Sequence, residues 1–328
     1  MTIEYKLMKN ILLMIAFTLA AGTTATAQKY IPDWNKVRDL QLSYIDSDYN
    51  NRKVTRSLIV DRDLSATDSA RLAHYLIGFG WLPGKGDFVK NRRVYMDSAL
   101  SIARYDADLY FQKAYPLLMA DKFEVGMPLM DSAVKYDRDG YILNYRGYIK
   151  CIFQKHYREA ITDLTLAIQE SGQGHIEDHT CDFYLGLCYL QLNKFDSCEY
   201  LFTKAIDQQQ KDYGYKVVHY LNWFYLGMAK FEQDDYAGAM ACLDSSLARY
   251  PQFSDAEFYK AWCLSELHED KRAVETITQA NNDFKAGYTL NEDNARLEPY
   301  PYQTNKYHLE ESLDILQKKL TKQTSSPK

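Results

Sequence analysis

Imidazole, thiol and carboxylate groups crowd one short stretch of the chain, His175-Ile-Glu-Asp-His179-Thr-Cys181. These are the donor types that hold zinc, and on a helix His175 and His179 share a face with Glu177, Asp178 and Cys181 nearby. The chemistry implied is metal coordination by His175, His179 and Cys181. The order is not H-E-x-x-H, so the metalloprotease mechanism is not implied. The competing reading is a solvated loop running into a helix start, where polar residues are ordinary. Thiols are the other reactive type, at Cys151, Cys181, Cys188, Cys198, Cys242 and Cys263. Several fall where a small buried side chain is wanted, so buried thiols acting as small hydrophobes are expected, with Cys188–Cys198 the pair to consider for a bridge. No C-x-x-C, G-x-S-x-G, P-loop or dinucleotide fingerprint occurs, and the seven histidines show no nucleophile–base spacing. The expectation is a chain without catalysis and without a cofactor.

The scaffold that would carry such residues is bounded by composition. With only 15 Gly and 8 Pro in 328 residues, the chain does not suit the frequent tight turns of a sandwich or barrel, while 28 Tyr suit long helices with large amphipathic contacts. The net charge of −5 and the lack of any stretch concentrating Lys and Arg with aromatics argue against a nucleic-acid partner. At the start, Lys6 and Lys9 precede an apolar run from Ile11 to Ala21, and Ala25-Thr26-Ala27 follows before Gln28. This order predicts a secretory signal peptide over 1–27. The alternative, an uncleaved anchor, has an apolar run about half the ~20 residues a span requires. No cysteine follows until Cys151, so lipid attachment at a new N-terminal cysteine is not available. The expectation is export without a membrane span after cleavage, to the periplasm first and secretion second.

Small residues recur along the middle of the chain. One series is Ala114, Gly147, Gly186, Gly227 and Ala261, and a second is Gly126, Ala160, Cys198, Ala239 and Ala273. A third, Ala133, Ala167, Ala205, Ser246 and Ala280, has successive spacings of 34, 38, 41 and 34. Small residues on two antiparallel helices let the axes approach closely, and large ones fill the sides. Met130, Leu164, Phe202, Leu243 and Ile277 lie four past the second series. Pro116 and Pro128 fall inside helices of the first unit and predict a bend or altered packing there. The long stretch 207–219 is expected to lengthen the flanking helices.

In these positions the chain resembles the tetratricopeptide repeat family. The fourth unit carries the pattern in Trp223, Leu226, Gly227, Ala239, Leu243 and Pro251, and the third in Leu185, Gly186, Tyr189, Phe202 and Ala205. The resemblance implies an all-α fold, an α-α superhelix: a right-handed solenoid of helical hairpins with a C-terminal capping helix. The expected organisation is a polar segment over 28–64, a degenerate repeat or cap over 65–106, and five repeats over 107–287. An irregular connection and capping helix follow over 288–322, with Tyr307, Leu309, Leu313, Ile315, Leu316 and Leu320 as the apolar face, and then a tail over 323–328.

Within each first helix, the residues three before and one after the first small landmark share a face. They are Phe111 and Tyr115, Asn144 and Tyr148, Phe183 and Leu187, Phe224 and Met228, and Phe258 and Trp262. In the family this face lines the concave groove that receives extended peptides. Here the row is mostly aromatic and apolar, so it does not resemble the Lys, Arg and Asn clamp with which some members grip a C-terminal carboxylate. The implied function is non-catalytic: a protein-interaction or scaffold module of the cell envelope with a protein or peptide partner. A glycan-binding accessory protein, with sugars stacked on the rings, is the alternative. A metal-dependent enzyme is the third reading. The same rings also suit plain packing between neighbouring helices.

Overall fold

In a computed structural model the described residues are 88–325 apart from 138–139, 215–216, 293–294 and 296–297, together with 33–36, 38–39, 64–65, 68–69 and 71–72. The expected signal peptide over 1–27, most of 28–64 and the last residues of the tail lie outside them. The chain divides into two compact units, Met1–Pro116 and Leu117–Lys328. In the first unit lie α1 (Phe88–Ile102) and most of α2 (Ala107–Leu118). Met96, Ala99, Leu109 and Ala114 are buried there. Asp106 starts α2 by accepting the Leu109 N–H at 2.8 Å.

The second unit is built from hairpins. After α3 (Phe123–Tyr136) come α4 (Tyr141–Ile152) with α5 (Tyr157–Ser171), and α6 (Cys181–Gln191) with α7 (Phe195–Tyr213). Then follow α8 (Tyr220–Phe231) with α9 (Tyr236–Leu247), α10 (Ser254–Glu266) with α11 (Asp270–Lys285), and α12 (Lys306–Ser325). Between α5 and α6 sit two two-residue strands, β1 (His175–Ile176) and β2 (His179–Thr180), paired antiparallel. Each hairpin packs its two helices together and against the next hairpin.

One backbone device closes every hairpin. Asp121, Lys155, Asn193, Asp234 and His268 all have φ between 55 and 61°. A single left-handed residue lets the chain reverse while the next amide satisfies an orphan helix carbonyl. Thus the Lys194 N–H reaches Tyr189 O at 2.8 Å, Asp235 reaches Lys230 at 3.0 Å and Glu269 reaches Leu264 at 2.8 Å. These turn residues repeat with the same spacings of 34, 38, 41 and 34 as the small landmarks.

The landmarks are small because the helices interlock there. A Cβ on Gly147 would lie 2.6 Å from Leu164 Cγ and 3.3 Å from the Leu164 backbone nitrogen. On Gly186 it would meet the Phe202 ring at 2.7 Å. At Gly227 the fit is looser, 3.3 Å to Cys242 Cβ. All six cysteines are buried and unbridged. The side-chain hydrogen-bond neighbour of Cys188 is Cys151, not Cys198.

Pro116 and Pro128 both lie within helices, and α2 ends two residues after Pro116. The long stretch after Asp207 lengthens only the preceding helix, α7, which spans 19 residues and stops at Gly214 with φ 88°. At the far end α12 covers the last hairpin, with Leu309 and Leu316 packed on Phe258, Ala261, Leu264 and Ile277. Tyr307 and Ile315, expected on its apolar face, are exposed instead. Among the described residues no helix is long and apolar enough to cross a membrane.

One buried carboxyl in this hairpin gives a pH dependence. Glu257 on α10 faces Asp283 on α11, and burial first, then the Asp283 charge, pushes its carboxyl up to about 8 against the opposing Lys260. Between the ordinary carboxylate value and pH 8 the folded chain holds a proton that the unfolded chain has lost, so stability falls as pH rises through that window. Glu257→Gln keeps a donor toward Asp283 at every pH. It is expected to gain about 1–2 kcal/mol over the native chain at pH 8.5, a figure reduced for partial solvent screening, and almost nothing at pH 4.5. Urea unfolding at the two pH values measures the difference.

Candidate functional site

Between α11 and α12 the chain leaves regular helix, and the described parts of this connection, 288–292, 295 and 298–305, lie against the first helices of three hairpins as a strap with a turn at Pro301–Tyr302. Its anchors are specific. Asp255, fully buried in the first turn of α10, accepts four hydrogen bonds from the strap. The donors are Thr304 N–H at 2.6 Å, Thr304 Oγ1 at 2.8 Å, Leu290 N–H at 2.9 Å and Thr289 Oγ1 at 2.8 Å. Burial pushes the Asp255 carboxyl up, and these four bonds hold it down.

Tyrosines of the first helices contribute the rest. Tyr225 Oη donates to Pro301 O at 3.1 Å, and Tyr220 Oη accepts the Asn291 N–H at 3.2 Å. Tyr302 stacks edge-on to Tyr259 at 5.7 Å and donates to Glu232 Oε1 at 2.9 Å. Lys155, in the turn after α4, donates to Pro299 O at 2.9 Å and pairs with Glu298 at 3.3 Å. Tyr300 is buried beside Tyr184, and burial pushes its phenol up. Thus main-chain carbonyls and amides of the strap are read by side chains, and its tyrosines fill the spaces between.

The strap also meets the β-hairpin. The strand register pairs Ile176 with His179 and His175 with Thr180, which puts the two histidines on opposite faces. His175 is exposed and His179 buried, stacked on Phe183 with ring centroids 3.8 Å apart. His179 Nε2 lies 3.1 Å from Glu292 Oε2 of the strap, and His219 Nε2 lies 4.0 Å from Oε1 of the same carboxylate. Burial pushes His219 down to about 4, with His179 adding to the effect and Glu292 opposing it.

This placement changes the sequence reading in two ways. The stretch 175–181 does not gather its own ligands: Cys181 Sγ is taken up by Asn144 Oδ1 at 3.0 Å and by Gly174 O at 3.5 Å. Nor is it a solvated loop, since Ile176 and His179 are buried. The aromatic row, in turn, belongs mostly to packing. Tyr148, Phe183, Phe224, Met228 and Phe258 are buried, with Phe183 against Phe202 and Tyr225, and Phe224 against Phe253. Trp262 lies under α12, its indole donating to Ser312 Oγ at 3.3 Å. Phe111 and Tyr115 are half-buried in the first unit, with ring centroids 5.7 Å apart.

The side chains that hold the strap and the hairpin stand one position later than the −3 row. Tyr184, Tyr225 and Tyr259 each precede a landmark by two residues, as does Tyr145. Their recurrence was a signal in the sequence. Asp255, Glu292 and Lys155 carried none, because their partners lie 34 to 144 residues away in sequence.

No family model and no curated protein sequence matches the chain. Among solved structures it is similar to PilW, described as a widely conserved type IV pilus biogenesis factor, with TM-score 0.52 and 12% identity over 68% of this chain and 96% of that one. Pseudomonas aeruginosa PilF aligns at TM-score 0.50 and 20% identity over 67% of this chain and 98% of that one. YrrB, a TPR protein with an unusual peptide-binding site, aligns at 0.45 and 17% identity over 57% and 91%. At these identities the likeness is one of fold. With hairpins closed by one recurring turn, small landmarks where their helices interlock and a final covering helix, the chain is an all-α superhelix of the tetratricopeptide type.

Proposed function

We propose that the protein is a non-catalytic interaction module whose first-helix face receives an extended peptide from a partner protein. The observation that carries this reading is the strap itself. The face already holds a non-helical segment by the means a peptide would use: main-chain hydrogen bonds to Tyr225, Tyr220, Lys155 and Asp255, and tyrosines seated between helices. The strap stands in for the partner, and its chemistry, Glu298-Pro-Tyr-Pro-Tyr-Gln-Thr304, describes the class: Pro- and Tyr-rich, non-helical and uncharged in its centre. The leader-like residues 1–27 support a cell-envelope setting, with the periplasm first. The glycan reading draws no support from the geometry, since Phe183, Phe224 and Phe258 are buried.

The test removes the stand-in. A chain with 298–304 replaced by Gly/Ser of equal length is expected to bind a labelled peptide of residues 289–305 with a Kd of about 10 µM by fluorescence anisotropy. The intact chain should bind it roughly a hundredfold more weakly, because the tethered strap competes at an effective concentration of about 1 mM. Adding Tyr225→Phe to the replaced chain should weaken binding severalfold. A folded, strap-replaced chain that shows no saturable binding contradicts the proposal.

A further inference from the structure

We propose that His179, His219 and Glu292 form a binding site for one divalent transition-metal ion of the zinc class, which clasps the strap to the repeat array. The three residues come from three separate places: the β-hairpin, the cap of α8 and the strap. Their ligand atoms all lie within 4.8 Å of one another. His179 and Glu292 are buried, with side chains 3 and 7% exposed, while His219 is 33% exposed and gives access from solvent.

The donor set selects the ion. Two imidazoles and one carboxylate suit zinc and its first-row neighbours, whereas calcium and magnesium take oxygen ligands. Ligand atoms about 2.0–2.2 Å from a tetrahedral ion stand about 3.3 Å apart. The His179–Glu292 separation of 3.1 Å already meets that spacing. His219 lies 4.0 Å from the carboxylate, with all ligand atoms within 4.8 Å of one another, so it must close by about 1–1.5 Å, and it is the side chain with room to move. Coordination through its Nε2 places the ring proton on Nδ1, so the long 3.4 Å contact that Nδ1 accepts from the Leu221 N–H is given up. Three protein ligands leave a fourth position for water on the exposed side.

The surroundings hold the ligands in place. His179 is fixed between the Phe183 face and the Tyr184 edge, and Tyr184 Oη donates to Ile176 O at 3.0 Å, tying the hairpin to α6. Gln209 Oε1 accepts from the His219 backbone N–H at 2.9 Å and from Asn222 Nδ2 at 3.2 Å, which fixes the start of α8. An ion here would join the strap to two repeats at the end opposite Pro301 and Tyr302. The inference does not rest on peptide binding by the face, because the site uses the strap as it lies in the intact chain.

The experiment is a zinc titration of the full, chelator-treated chain by isothermal calorimetry, with cobalt substitution read by visible absorption. One equivalent is expected to bind in the micromolar range or tighter, and cobalt should give the intense bands of a four-coordinate site. Zinc should also slow proteolysis of the strap. His219→Ala, at the exposed ligand, and Glu292→Gln, which keeps the side-chain shape, should each weaken binding at least tenfold while circular dichroism stays unchanged. A native chain that binds no zinc overturns the proposal, as does a variant of either kind that binds zinc as tightly as the native chain.

Discussion

Asp255→Ala is expected to lower the melting temperature of the protein more than any other single substitution of a strap contact. The carboxylate accepts the Leu290 and Thr304 amides in buried hydrogen bonds, and it also takes two threonine hydroxyls. Truncation removes all four acceptor contacts at once. A buried donor left unpaired costs about 1–3 kcal/mol, so the two amides alone set a loss of at least about 2 kcal/mol. Asp255 also sits in the first turn of α10, where a negative charge offsets the helix dipole. For a unit of this size that minimum loss corresponds to a fall of roughly 4–8 °C. Part of that cost can be relieved by the strap detaching locally, so proteolysis within 288–305 should accelerate with it. Asp255→Asn, which keeps one acceptor oxygen, should fall between the two. Thermal melting with mass-spectrometric mapping of the cleavage sites measures both effects.

The second large effect is expected at Phe202. This ring is fully buried, lies 5.7 Å from Phe183 and 5.8 Å from Tyr225, and occupies the space that a side chain at position 186 would need. Phe202→Ala should cost about 3–5 kcal/mol, the range for deleting a core aromatic ring. Gly186→Ala should cost about 1–3 kcal/mol, because its Cβ would sit 2.7 Å from Phe202 Cε2. The two changes share one volume, so the double variant should be no less stable than Phe202→Ala alone. Denaturant unfolding of the three variants reads the coupling, and simple additivity would contradict the interlocked packing.

Much of the scaffold was legible because a repeat writes the same packing problem several times. Gly147, Gly186 and Gly227 are small where a neighbour's Leu164, Phe202 or Cys242 stands, and such local contacts leave a period in the sequence. The covering helix α12 follows from local apolar pattern too, at Leu309 and Leu316. The site was read less well. The −3 row picks out rings that face neighbouring helices, whereas the strap is held by tyrosines at −2, one step of about 100° around each helix. His179 stands out in the sequence beside His175 and Cys181, whereas the structure sets it beside His219 and Glu292. A cluster assembled with His219 and Glu292, at separations of 40 and 113 residues, leaves no spacing to recognise. The strap is the extreme case: it has no period, and Pro299 and Pro301 mark it only as irregular chain until its partners are in place.

In the intact chain the strap lies bound across the first-helix face. Amide hydrogen exchange at Leu290, Asn291 and Thr304 is the test. All three amides donate to buried or half-buried side chains. They are therefore expected to exchange at least a hundredfold more slowly than an open chain of the same sequence, and to lose that protection in Asp255→Ala. Exchange at the open-chain rate in the native protein would contradict the account, because the face would then hold no segment at all.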